Sequence, residues 1–189
     1  KVAVQGLGSV GYELCRLLDG HGAELFVTDV NEAVLEKAHQ NFSNVHVVGL
    51  DEIFGVDAQV FAPCALGAQL NEKTISQMRF DIIAGAANNQ LETMADADRL
   101  VEKDILYAPD YAINAGGVIA VGYEYFEQTG RNPFPHDLNR ANMMSHVEKI
   151  EQTLDEIFAI SETRNIPPGH ATVELAEAVF PGSAVPKKS

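Results

Sequence analysis

Gly6-Leu7-Gly8-Ser9-Val10-Gly11 follows directly on an apolar run, Val2-Ala3-Val4-Gln5, and a helical pattern begins inside it. In a G-x-G-x-x-G of this kind the first glycine makes the tight turn, the second lets backbone approach a pyrophosphate, and the third lets helix and strand pack closely. The hexapeptide alone would also suit a plain turn between a strand and a helix. Asp29 supplies the context, because it ends the second strand pattern 18 residues beyond Gly11, about where a carboxylate meets an adenosine ribose. Together they predict a dinucleotide site. No Lys or Arg lies within the loop, and Arg16 is more than a turn into the helix, so backbone N–H groups and the helix N-terminus must hold the pyrophosphate. The Asp29 carboxylate would repel a 2′-phosphate, and Val30-Asn31-Glu32 offers no arginine to hold one. The expected cofactor is therefore NAD rather than NADP. The other reading of Asp29 is a solvated residue at a strand end.

Positioning such a site requires a parallel sheet, and the sequence has its pattern. Short β-branched runs at 2–5, 24–29, 45–48, 59–62, 81–84 and 105–108 alternate with helical patterns at 10–19, 32–41, 72–78 and 94–103 and a short turn at 51–54. Alternation of this kind predicts an α/β, Rossmann-type doubly wound, mostly parallel sheet. In the first helix Leu14, Leu17 and Leu18 are expected to face inward. After Pro109 only helices are predicted. Asn114 reads as the N-cap of one carrying Val118, Val121, Tyr125 and Phe126, ended by 130–135. A longer one has Met143, Val147, Ile150, Leu154, Ile157 and Phe158 at spacings of 3 and 4, a stripe that must be buried against something. Pro167-Pro168 is expected to stop it, a last short helix covers about 171–179, and 181–189 reads as an exposed tail. Residues 1–180 then form one nucleotide-binding domain.

With strand order 3-2-1-4-5-6, ligands bind where the loops after strands 1 and 4 diverge. The glycine loop then faces Pro63-Cys64-Ala65-Leu66-Gly67, and the next loops on that edge are 85–90 and 110–117. Small residues with Asn88, Asn89 and Asn114 among them suit backbone approach to a flat ring, although asparagine is also common as a turn and cap residue. Cys64 has no basic sequence neighbour to lower its pKa and reads as a small buried residue. The six histidines show no metal-ligand spacing with each other or with cysteine, and no P-loop or G-x-S-x-G elbow is present. None of the seven lysines sits in a glycine-rich loop or beside an aspartate at the edge, so hydride chemistry at a substrate carbon lacks its general acid/base here.

Composition limits the alternatives. The 189 residues, 46% hydrophobic with a mean hydropathy of −0.05, suit one globular domain. The 13 basic and 27 acidic residues leave a net charge of −14, which disfavours nucleic acid and membrane surfaces as partners. No apolar run approaches the ~20 residues needed to span a bilayer. Two cysteines without a disulfide framework point to a reducing compartment, the cytoplasm by default. The chain opens at Lys1 inside its first strand, which is expected of a domain cut from a longer protein.

Val2-Ala3-Val4-Gln5-Gly6-Leu7-Gly8, Ala62-Pro63-Cys64-Ala65-Leu66-Gly67, Gly85-Ala86-Ala87-Asn88-Asn89-Gln90-Leu91, and Tyr107-Ala108-Pro109-Asp110-Tyr111 through Asn114-Ala115-Gly116-Gly117 together resemble the Glu/Leu/Phe/Val dehydrogenase family. The likeness is nearest to its leucine-deaminating members and covers almost the whole chain. Ser9 departs from it, since many members carry Asn there. The resemblance implies an oxidoreductase that reversibly deaminates a branched-chain L-amino acid, leucine first, to the 2-oxo acid and ammonia. It also implies a catalytic lysine, a second lysine and an aspartate on an N-terminal substrate domain absent from this chain, and a homo-oligomer at full length. Carried over by position, Gly6, Leu7, Gly8, Ser9, Val10 and Gly11 hold the pyrophosphate, Asp29 the adenosine ribose, Cys64 and Ala65 line the groove, and Ala87, Asn88 and Asn114 meet the nicotinamide end. Val118 and Val121 correspond to positions shaping the substrate pocket; plain helix packing is their alternative. Two other readings stand beside this one, a phenylalanine or valine preference within the family and a free-standing NAD/NADH-sensing module that offers the long helix's apolar stripe to a partner.

Overall fold

A computed structural model of the chain describes residues 1–179. Phe180 and the expected tail at 181–189 lie outside them. Six parallel strands, β1 (Val2–Gln5), β2 (Leu25–Thr28), β3 (Val45–Val47), β4 (Val60–Pro63), β5 (Ile82–Ile83) and β6 (Leu106–Tyr107), form one sheet in the order β3-β2-β1-β4-β5-β6. The direction of winding therefore reverses between β1 and β4, as the alternating pattern predicts.

Successive strand residues point to opposite faces, and both faces are covered. Ala3, Phe61, Ile83 and Tyr107 form a core with Ile75 of α3 (Glu72–Gln77) and Leu100 of α4 (Ala95–Glu102), closed by Ile53 and Phe54 from a short 3₁₀ turn (Glu52–Gly55). Phe61 lies between Phe54 and Phe80, with ring centroids 5.7 and 5.1 Å away. On the other face Val4, Val27 and Ala62 pack with Cys15 of α1 (Ser9–Gly20) and Ala38 of α2 (Glu32–Asn41). Leu14 and Leu18 join this second core. Leu17 does not: it is 49% exposed, because at its place in the 3.6-residue period it falls on the flank of a helix whose buried line runs through Gly11 and Cys15.

Side-chain caps start three of the helices. Asn31 accepts from the Ala33 N–H, Asn71 and Thr74 make a reciprocal capping box, and Asn139 accepts from the Asn142 N–H. Asn114 behaves differently from the expected N-cap. A single extra turn, α5 (Asp110–Ile113), precedes it, and Asn114 closes that turn by donating its N–H to the Asp110 carbonyl at 3.0 Å. The next helix, α6 (Gly116–Thr129), begins after Ala115 with no side-chain cap and ends at Gly130, whose φ is 65°. Asn114 is thereby left free to point its amide elsewhere.

The long helix α7 (Arg140–Arg164) ends at a left-handed Asn165, φ 53°, rather than at the prolines. Pro168 instead opens α8 (Pro168–Val179), three residues before the expected start; a proline's missing N–H costs nothing in a first turn. The α7 stripe packs against α5, α6 and α8, with Ile157 fully buried among Ala112, Ala171, Leu154 and Leu175 and Met143, Val147, Ile150 and Phe158 half-buried. In turn α8 packs on α4 and β6, so the helical cap is fastened to the sheet. Ile157→Ala should cost about 2–5 kcal/mol in urea unfolding, whereas Leu17→Ala should stay within about 0.5 kcal/mol.

Candidate cofactor site

Backbone is closely packed at the end of β1. Gly6 turns there with φ +94°, and a Cβ on it would lie 2.7 Å from the Ala65 Cβ and 2.9 Å from the Ala65 nitrogen. A Cβ on Gly11 would lie 2.0 Å from the Gly6 carbonyl oxygen, so α1 can approach β1 only because that atom is missing. Gly8 is the opposite case: a Cβ there would meet nothing within 4 Å. Its open side is the start of α1, where Gly8 is the N-cap, no side chain caps the helix and no acidic residue stands in the first turn. The first N–H groups of a helix have no partner within it. Here, with Gly8, Ser9 and Val10 exposed, they are arranged to receive an anion.

Asp29 ties the neighbouring strand to this loop. One carboxylate oxygen accepts from the Leu7 N–H at 2.6 Å and the other from the Asn31 N–H at 2.8 Å. The charge-assisted bond to Leu7 fixes the loop's path beyond the end of β2. Each oxygen keeps further lone-pair capacity, so the half-buried carboxylate can also accept hydroxyl groups presented from outside.

Beyond β4, the Cys64 N–H donates to the Gln5 carbonyl at 2.7 Å, and Ala65 closes over Gly6. Burial pushes the Cys64 thiol up and the Cys15 thiol up to about 12, so both are neutral and neither is an activated nucleophile. The loop after β5 folds onto the loop after β4. Ala87 donates its N–H to the Pro63 carbonyl at 2.9 Å, Ala68 donates its own to the Asn89 carbonyl at 2.7 Å, and a Cβ on Gly67 would lie 2.7 Å from the Asn88 carbonyl oxygen. Gln90, fully buried, donates its amide to the Gly85 and Ala87 carbonyls. At the far end the Asn114 amide donates to the Asn88 side-chain oxygen at 2.6 Å.

Gly6 to Gly11, Asp29, Cys64 and Ala65 thus gather at the divergence of β1 and β4, and Ala87, Asn88 and Asn114 gather at the loops after β5 and β6. Val118 and Val121 stand apart from both groups. They lie further along α6 and are 78% and 65% exposed among the described residues. Sequence reasoning passed over the buried polar residues beneath the loops, Asp110, Tyr107 and Gln90. A carboxylate immediately after a proline at the end of a strand pattern, among small residues, was the available signal for Asp110.

Residues 27–175 match the family model described as Glutamate/Leucine/Phenylalanine/Valine dehydrogenase. The chain belongs to this family. Among its relatives are the leucine dehydrogenase of Geobacillus stearothermophilus, 43% identical over 93% of this chain and 45% of that protein, and the L-tryptophan dehydrogenase of Nostoc punctiforme, 46% identical over 94% and 47%. The crystal structure of the Nostoc punctiforme enzyme superimposes with a TM-score of 0.84 at 43% identity over 94% of this chain and 51% of that one. A hetero-hexameric glutamate dehydrogenase from Thermus thermophilus shares the fold, with a TM-score of 0.66 at 21% identity. This family member spans about half the length of the curated relatives it matches. Among its described residues no helix is long and apolar enough to cross a membrane.

The buried thiols set an alkaline limit on stability. An ordinary cysteine loses its proton near 9.0, whereas Cys15 holds its own to about 12. Between those values the unfolded chain binds fewer protons than the folded one, so stability should fall as pH rises from about 9 toward 12. Chemical denaturation across that range should show a shallower fall for Cys15→Ala.

Proposed function

We propose that this chain is the cofactor-binding half of an NAD-dependent amino-acid dehydrogenase, and that a preceding substrate domain carries the catalytic lysines and aspartate. The observation that carries the cofactor reading is the uncapped, exposed first turn of α1 beside an Asp29 carboxylate already bonded to Leu7. These residues fit a dinucleotide. The space beside Gly8 admits a pyrophosphate that the first-turn amides would hold, and Asp29 would accept from both adenosine hydroxyls while repelling a 2′-phosphate, which favours NAD over NADP. Ala87, Asn88 and Asn114 would meet the nicotinamide end. The bound nicotinamide supplies hydride acceptance. This chain orients the ring by the amides of Asn88 and Asn114, and no lysine belongs to the loops on this edge, so proton transfer falls to the other half.

The substrate we assign is a branched-chain L-amino acid, leucine foremost, taken reversibly to its 2-oxo acid and ammonia. Relatives named leucine dehydrogenase at 42–43% identity support it, as do the two medium-sized aliphatic side chains that Val118 and Val121 hold out from α6. The relative named for tryptophan makes the side-chain preference a question for a substrate panel. We further propose that the full-length protein is a homo-oligomer in the cytoplasm; the two free cysteines suit a reducing compartment.

NADH fluorescence titration of the 189-residue chain tests the cofactor site. Asp29→Ala should raise Kd about tenfold or more, the weight of losing hydrogen bonds to a charged group, and should narrow the preference for NADH over NADPH. An unchanged Kd would remove Asp29 from the site. The chain alone should bind without turnover, and the full-length protein should deaminate leucine faster than phenylalanine or tryptophan. Leucine deamination by this chain alone would overturn the assignment of catalysis to the other half.

A further inference from the structure

The loops after β5 and β6 are fastened to each other at two places, and one residue is responsible for both. Asp110 is 6% exposed. One of its carboxylate oxygens accepts from the Asn89 N–H at 2.6 Å, and the other accepts from the Tyr107 hydroxyl at 3.0 Å. Asn89 stands at φ 51°, a left-handed form that asparagine adopts more readily than most non-glycine residues and that its hydrogen-bond partners hold here. Both of its backbone groups are held, the N–H by Asp110 and the carbonyl by the Ala68 N–H at 2.7 Å. The residue before it, Asn88, is thereby delivered with its side-chain oxygen on the Asn114 amide at 2.6 Å. Asn114 is set from the same source, since its N–H donates to the Asp110 carbonyl at 3.0 Å. The Asp110 carboxylate fixes one member of the pair and the Asp110 carbonyl fixes the other.

Resting on the cofactor reading above, we propose that Asp110 is a positioning residue for the nicotinamide end: its carboxylate holds Asn89 in the left-handed form so that Asn88 and Asn114 present their amides as one surface. Asp110 itself touches no cofactor. Its replacements differ in a way this role dictates. In Asp110→Asn the amide oxygen can still accept from the Asn89 N–H while the NH₂ donates to the Tyr107 oxygen, whose hydroxyl is free to rotate. In Asp110→Ala both donors lose their partner.

Titration with NADH and with ADP separates positioning from general damage, because ADP has the adenosine and the pyrophosphate without the nicotinamide. Asp110→Ala should weaken NADH about tenfold and leave ADP within about twofold, and Asp110→Asn should stay close to the native chain. In an Asn88→Ala background, Asp110→Ala should add little further loss, as expected of groups acting in series. Equal losses for NADH and ADP, or an unchanged NADH affinity in Asp110→Ala, would overturn the proposal. If Asp110→Ala does not fold, Tyr107→Phe removes one of the two donors and keeps the ring. It should weaken NADH about threefold with ADP unchanged, and unchanged NADH would again overturn the role. A native chain that binds neither ligand would bring down the cofactor reading and this inference with it; native binding of both, with no variant discriminating between them, would bring down the positioning role alone.

Discussion

The near-contact of backbone with backbone at the end of β1 is the constraint on which the carboxyl edge depends. The Gly6 carbonyl lies where a Gly11 Cβ would be, and Ala65 lies where a Gly6 Cβ would be. These two missing atoms let α1 start against β1 and let the loop after β4 cross over it. Without that approach, the first turn of α1 could not open beside Asp29, and the switch of winding direction between β1 and β4 would be covered by side chains instead of lined by backbone. Gly8 needs no relief from any described atom of the chain, so its lack of a side chain leaves the start of α1 open.

The same arrangement reconciles a net charge of −14 with an anionic ligand. The global field disfavours phosphate, and no basic side chain stands in the loop to oppose it. A helix terminus acts only within its first turn, but there it acts at contact distance, where field screening by solvent is weakest. Asp29 would be a liability beside a pyrophosphate if it faced the phosphates. Its two oxygens are instead engaged by the Leu7 and Asn31 amides, which hold its charge at the end of β2 and make the loop's own backbone part of its solvation.

The alternation of strands and helices, the glycine loop and the place of Asp29 at a strand end were legible in the sequence because each is local, and the strand order followed from that alternation. A strand has a period of two, a helix a period near four, and the distance from glycine loop to acid is one βαβ unit. What was misread depended on which of two neighbours a versatile residue serves. Asn114 has the chemistry of an N-cap, and the same short amide serves as readily at the end of a turn; only the Asn88 oxygen, 26 residues away in sequence, decides. Pro168 has the residue type of a helix stop, yet it opens α8, because the left-handed Asn165 has already ended α7. Leu17 carries the right residue type and lies just off the buried line. The role of Asp110 was harder to read than its position, since its partner is the N–H of Asn89, 21 residues earlier, and nothing in the sequence around Asn89 announces a left-handed backbone.

These differences sort the edge into two kinds of surface. Around Gly6 to Gly11 and Asp29, the surface is backbone held in place by packing, where missing side chains permit the close approach. Around Ala87, Asn88 and Asn114 the surface consists of side-chain amides above buried polar groups, where Gln90 donates to the Gly85 and Ala87 carbonyls and Asp110 accepts from the Asn89 N–H and the Tyr107 hydroxyl. A pyrophosphate is nearly symmetric and can be met by amides of any sequence, so packing suffices for it. A ring that must present one face to a substrate tolerates little rotation, and a hydrogen-bonded scaffold specifies angle as well as distance.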